Sequence, residues 1–160
     1  MPLYQFLENL GWSWRGFLGP LGGKVSNYHW FDDVEVAKWQ LQPETWAMLD
    51  MARQNTVALD PSGKGIPFII TSGKRTPEQE AALKGGVRDS AHISGYGFDL
   101  AVSDGFSLCL MIAGLTAAGF RRLGIYHDTN MVPTHIHGDN DPDLLAKTGP
   151  TMWILMEQNA

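Results

Sequence analysis

The chain has 160 residues, 44% hydrophobic and 18% charged, with a formal charge of −5. That length suits one domain, residues 1–160, with a sizeable core, and the acidic balance argues against nucleic acid, whose binders carry a basic patch. Cys109 is the one cysteine, so no intrachain disulfide can form.

Residues 1–30 are rich in aromatics (Tyr4, Phe6, Trp12, Trp14, Phe17, Tyr28, Trp30) and glycine. A wall-binding or membrane-touching segment is one reading. We expect instead an extension that packs its rings on the domain, because buried aromatics dominate core energetics. His29 is read as structural. The N-terminus has neither a basic n-region nor a long apolar h-region, so no signal peptide is read. No stretch has the apolar length of a membrane span, and no stable membrane insertion is expected. The protein is expected to be cytoplasmic until released, as a phage endolysin is, or to be exported by another route.

Pro43 to Arg53 predicts a helix, with Pro43 in the first turn and Trp46, Met48 and Leu49 toward one face. Leu59 to Gly65 reads as a surface turn. Ile66 to Thr71 predicts a central strand that ends at Ser72-Gly-Lys-Arg75. Arg75 at a strand end suits a bidentate grip on a carboxylate, though a surface salt bridge is an equal reading of the residue alone. Thr76-Pro-Glu-Gln79 carries a capping box, and its helix should stop at Gly85-Gly86. Ser103 or Asp104 should cap a helix from about 105 to 118, closed by Gly119. Leu108, Ile112 and Leu115 are expected on its core face, and Cys109 is expected to be a buried small hydrophobe. Arg121 to Tyr126 predicts a strand, with His127 facing solvent. Asn130 to Thr134 is a loop, and Met152 to Met156 a last strand at the sheet edge.

Two stretches stand apart from this pattern. Ser90-Ala-His-Ile-Ser-Gly-Tyr-Gly-Phe-Asp99 is too polar and Gly-rich for a core segment, and Gly95 and Gly97 let its backbone turn so that His92 and Asp99 can meet. His135-Ile-His137-Gly-Asp139 puts two imidazoles on one strand face, about 7 Å apart. Two histidines and an aspartate form the ligand set of a catalytic zinc with one position left for water. One histidine of the pair can bind while the other stands beside it. Asp139, on the same face, is read as an acceptor that orients an imidazole, with a turn residue as the alternative.

The runs Ile70-Thr-Ser-Gly-Lys-Arg75-Thr-Pro, Gly85-Gly86, Ser90-x-His92-x-x-Gly95-x-x-x-Asp99 and His135-x-His137-x-Asp139 resemble the zinc D-Ala-D-Ala carboxypeptidases. That family includes L-alanyl-D-glutamate endopeptidases and belongs with lysostaphin and the hedgehog zinc domain. The resemblance covers about residues 40 to 140. It implies that His92, Asp99 and His137 bind Zn2+, that His135 assists the activation of water or steadies the tetrahedral intermediate, that Arg75 binds substrate or the developing oxyanion, and that Ser90 lines the substrate site. The Glu-x-x-His ending of the dipeptidase branch is missing, because Val132, Pro133 and Thr134 stand where its glutamate would be. Gly97 replaces the usual alanine, which we read as harmless.

The fold expected is α+β: a small, mostly antiparallel sheet bearing the metal residues, with helices packed on one side. The expected activity is that of a zinc peptidase acting on peptidoglycan stem peptides, either as a D-Ala-D-Ala carboxypeptidase or as an endolysin-like endopeptidase. The alternative is a zinc-fold binding or structural module without turnover, against which His135 argues. A hydrolase of non-peptide substrates is weaker still.

Overall fold

The computed structural model describes residues 28–83 and 89–156. Most of the aromatic extension, residues 1–27, and the Gly85-Gly86 helix stop lie outside the described residues. Where the described residues begin, Tyr28 and Trp30 pack against the core beside Phe31 and Trp46.

Helix α1 (Asp33–Trp39), which sequence reasoning missed, starts at Asp32, whose carboxylate accepts from the Glu35 N–H at 2.8 Å. Helix α2 (Pro43–Leu59) runs six residues past the predicted end. No breaker intervenes, and the buried stripe Trp46, Leu49, Ala52, Arg53, Thr56 keeps helical spacing to the end. Strand β1 (Ile70–Ser72) is shorter than expected and lies at the sheet edge rather than at its centre. Pro67 offers no N–H to a ladder, and pairing begins only where Ile70 meets Leu100.

Helix α3 (Pro77–Ala81) has the predicted capping box between Thr76 and Gln79. It is followed by α4 (Ala91–Ser94), β2 (Phe98–Ala101), α5 (Gly105–Ala117), β3 (Arg122–His127), β4 (Pro133–Asp139), α6 (Pro142–Thr148) and β5 (Thr151–Met156). Asp104 caps α5, and Gly119 follows it at φ +100°, as the sequence suggests.

The strands form one sheet in the order β1-β2-β4-β3-β5. All pairs are antiparallel except β3 with β5. This is the α+β architecture expected. Period-two alternation divides the sheet into two faces. Phe98, Leu100, Leu123 and Ile136 turn to a core shared with Trp46 and Leu49 of α2 and Met111 and Leu115 of α5. The long helices α2 and α5 therefore cover that face. They approach closely at Gly114, where an added Cβ would come within 2.7 Å of the Ala52 carbonyl oxygen.

One expectation for α5 needs correction. Leu115 is buried and Leu108 and Ile112 pack partly buried against the core as expected, beside the buried Ser107, Leu110, Met111 and Gly114. An almost wholly apolar helix gives no periodic signal to choose its inner face, and close packing at Gly114 chooses it instead. Cys109 consequently lies on the exposed side.

Candidate metal centre

The other face of the sheet carries the polar residues. Asp99 on β2 stands opposite His137 on β4, and Ala101 opposite His135. Register therefore brings Asp99 to His137 across 38 positions of sequence.

His92 arrives from α4. Ser90 caps this short helix by accepting from the His92 N–H at 3.3 Å, and Gly95 ends it at φ +82°. Three backbone bonds hold α4 in place: Arg75 N–H to His92 O at 3.0 Å, Gln42 N–H to Gly95 O at 2.9 Å, and Gly97 N–H to Ala91 O at 2.7 Å. Gly97 passes so near that an added Cβ would sit 2.8 Å from the His92 nitrogen. The missing side chain thus sets how closely α4 approaches β2.

The result is a cluster of three donors. His92 Nε2 lies 3.1 Å from His137 Nδ1 and 3.4 Å from Asp99 Oδ1, and His137 Nδ1 lies 3.0 Å from the same oxygen. Ligands about 2.0–2.1 Å from a tetrahedral zinc stand roughly 3.3 Å from one another. The three atoms match that spacing.

The remaining heteroatom of each side chain is bound by protein. His92 Nδ1 donates to Gly73 O at 2.7 Å, which fixes the tautomer that leaves Nε2 for a metal. His137 Nε2 reaches Asp139 Oδ2 at 3.2 Å, so Nδ1 is the atom left for the metal. Asp99 Oδ2 accepts from Arg75 at 3.0 Å. Such outer bonds orient metal ligands and raise their basicity. His92 is buried, whereas the side chains of Asp99 and His137 stay 13% and 14% exposed.

Charge follows from this geometry. Burial alone would raise the Asp99 pKa, but the hydrogen bonds and positive charge of His137 and His92 hold the carboxyl well below its usual range. Burial alone would lower the His137 pKa. Its bonds to Asp139 and Asp99 outweigh that and push it up to about 9.

Arg75 does not reach out from the site. Its guanidinium bonds Glu80 at 2.9 Å, Ser72 at 2.6 Å and Asp99 at 3.0 Å. It braces the back of Asp99 and satisfies the buried Glu80. His135 lies two residues before His137, half-buried. Its ring stacks on Tyr126 with centroids 4.4 Å apart and planes 10° apart, and Nδ1 is 3.2 Å from Thr134 Oγ1. Asp139 is fully buried and accepts from Arg122 Nε at 3.0 and 3.2 Å, as well as facing His137. His29, exposed, packs edge-on against Trp30.

Sequence reasoning missed the outer partners Gly73, Glu80 and Arg122. Gly73 acts through its carbonyl and leaves no side-chain trace. Arg122 could be found only from the pairing of β3 with β4, which sets it opposite Asp139.

Residues 42–138 match the family model described as Peptidase M15. No match was found among curated proteins or solved structures.

Proposed function

From the premise that the chain belongs to the Peptidase M15 family, we propose that it hydrolyses a D-amino-acid-containing peptide bond of peptidoglycan stem peptides. The observation that carries this reading is the donor set His92 Nε2, Asp99 Oδ1 and His137 Nδ1, spaced for one small divalent ion and held from outside by Gly73, Arg75 and Asp139. A zinc ion at these atoms supplies a Lewis acid and a water whose pKa falls to about 7.

The chain's own residues do the rest. His135 holds a proton at Nε2 for the leaving amine, its ring oriented by Tyr126 and Thr134. The Arg75 guanidinium donates to Asp99 Oδ2 and aims the carboxylate. Ser90 starts the helix that presents His92, and in this reading it lines the substrate site.

We favour an endopeptidase over a carboxypeptidase. A carboxypeptidase needs a cation for the terminal carboxylate. Arg75 and Arg122, the two arginines tied to the donor set, are already engaged by Glu80, Asp99 and Asp139. None of the described helices is long and apolar enough to cross a membrane, and we place the protein's action at the cell wall after release or export.

The test is digestion of purified stem peptides, with and without a chelator, beside a His135→Ala variant, followed by mass spectrometry. We expect internal fragments that vanish on chelation and return with zinc, and a variant slowed about 10²–10⁴-fold. Release of terminal alanine would replace the endopeptidase assignment with a carboxypeptidase. Cleavage indifferent to chelation would end the metal reading.

A further inference from the structure

Beyond the last residue of the family match, the chain builds a support for one metal ligand. Asp139 is fully buried at the end of β4. A buried carboxylate is costly unless charge and hydrogen bonds compensate it. Three groups do so. His137 Nε2 faces Oδ2 at 3.2 Å, Arg122 Nε donates to Oδ1 at 3.0 Å and to Oδ2 at 3.2 Å, and the Asp141 N–H donates to Oδ1 at 3.2 Å. Arg122 is held in turn. Its Nη1 bonds Thr148 Oγ1 at the end of α6. Its guanidinium carbon lies 5.4 Å from the centroid of the Trp153 ring, within reach of a cation–π attraction.

Trp153 can take that position because Gly124 lies beneath it. A Cβ at Gly124 would fall 2.5 Å from the indole ring. The same indole stands 5.8 Å from the His137 ring. Arg122 therefore has the ligand's partner on one side and the parallel strand β5 on the other.

We propose that Arg122, braced by Thr148 and Trp153, is a positioning residue that locks the Asp139 carboxylate against His137 Nε2 and so presents His137 Nδ1 to the metal. Residues 139, 148 and 153 fall outside the matched span 42–138. Arg122 itself lies inside that span, on β3, and draws these partners from the end of β4, from α6 and from β5. Without Arg122 the carboxylate keeps its imidazole and backbone partners but loses the group that fixes its plane, and the imidazole turns more freely. This inference rests on the reading of His137 as a metal ligand.

The experiment compares the parent protein with Arg122→Gln and Arg122→Lys. Zinc affinity is measured by competition with a chromophoric chelator. The His137 tautomer is read from long-range ¹H–¹⁵N correlations of the zinc-loaded imidazoles, and the zinc-free melting temperature is recorded for each. Removal of an outer partner typically weakens metal binding about 10–100-fold. We expect a loss of about 100-fold for Gln, with a shifted or broadened His137 Nε2–H signal, and about tenfold for Lys, which restores charge but cannot bridge Asp139 and Thr148 together. A merely structural Arg122 would lower the melting temperature and leave affinity and the His137 signal at the parent's values; that result overturns the proposal. If the Gln variant does not fold, Lys decides, and an affinity equal to the parent's overturns it equally. A parent that binds no zinc fails at an earlier step, the metal reading, and is recognised as such before any variant is compared.

Discussion

His137 sits between two carboxylates, and in the zinc-free protein this fixes a proton on it. Its pKa stands at about 9, above its ordinary 6.5, because Asp139 and Asp99 outweigh the cost of burial. Stability from a raised histidine is fully present below pH 6.5 and is lost as pH climbs through 9. Asp99 has the opposite sign. Its pKa is depressed from 3.8, so its contribution is present above that pH and lost as acid protonates the carboxyl. The chelated protein should therefore melt at its highest temperature between about 4 and 6.5 and progressively lower from there to pH 9. A zinc ion bound as proposed would take the place of the Nδ1 proton, so its apparent affinity should rise with pH over the same window. Thermal melts at intervals from pH 4 to 9.5, in chelator and in zinc, measure both trends. A chelated protein as stable at pH 9 as at pH 6 would show that His137 is not held between the two carboxylates.

At the scale of elements, the site depends on short pieces carried by long ones. The α2–α5 pair supports the sheet from its apolar side, and Gly114 allows the two helices to meet at the Ala52 carbonyl. Gly114→Val forces them apart. Overpacking of this kind costs about 1–3 kcal/mol. We expect a lower urea midpoint with zinc affinity within a few-fold of the parent's, since the contact faces away from the donors; an unchanged midpoint would contradict the close approach. The same elements show what could be read in the sequence. The capping box at Thr76 and Gln79, the Asp104 cap and the Gly119 stop are local chemistry, and each sits where the residue pattern puts it; His92, Asp99 and His137 were singled out by residue type and resemblance, and the fold brings them together. Cys109 was misread as buried because the composition of α5 carries no period. Strand β1 was overextended because the apolar run Ile66–Ile70 hides the effect of Pro67. Arg75 was read as a group facing substrate, and only the fold reveals Glu80, Ser72 and Asp99 around it. The outer partners Gly73, Glu80 and Arg122, which depend on register or on backbone atoms distant in sequence, were not legible.

At the scale of the molecule, the sheet is wider than the layer that the described helices lay over it. Leu123 on β3 is 2% exposed, whereas Met152, Ile154 and Met156 on the same face of β5 are 54%, 62% and 55% exposed. Strand β5 pairs with β3 alone among the described strands, and no charge or proline interrupts Thr151–Met156. Natural edge strands usually carry such protection, because an apolar edge invites pairing with another chain. The opposite face of β5 brings Trp153 to His137, so the strand must hold its register even though no described residue covers its outer side. Ile154→Lys separates these demands. A surface substitution of this kind should change stability by no more than about 0.5 kcal/mol. It should also reduce self-association at high protein concentration, as an edge charge does. Light scattering over a concentration series and a thermal melt read the two effects. A melting temperature several degrees lower would mean that the face is covered in solution, and that the charge had been placed in an interface rather than on a surface.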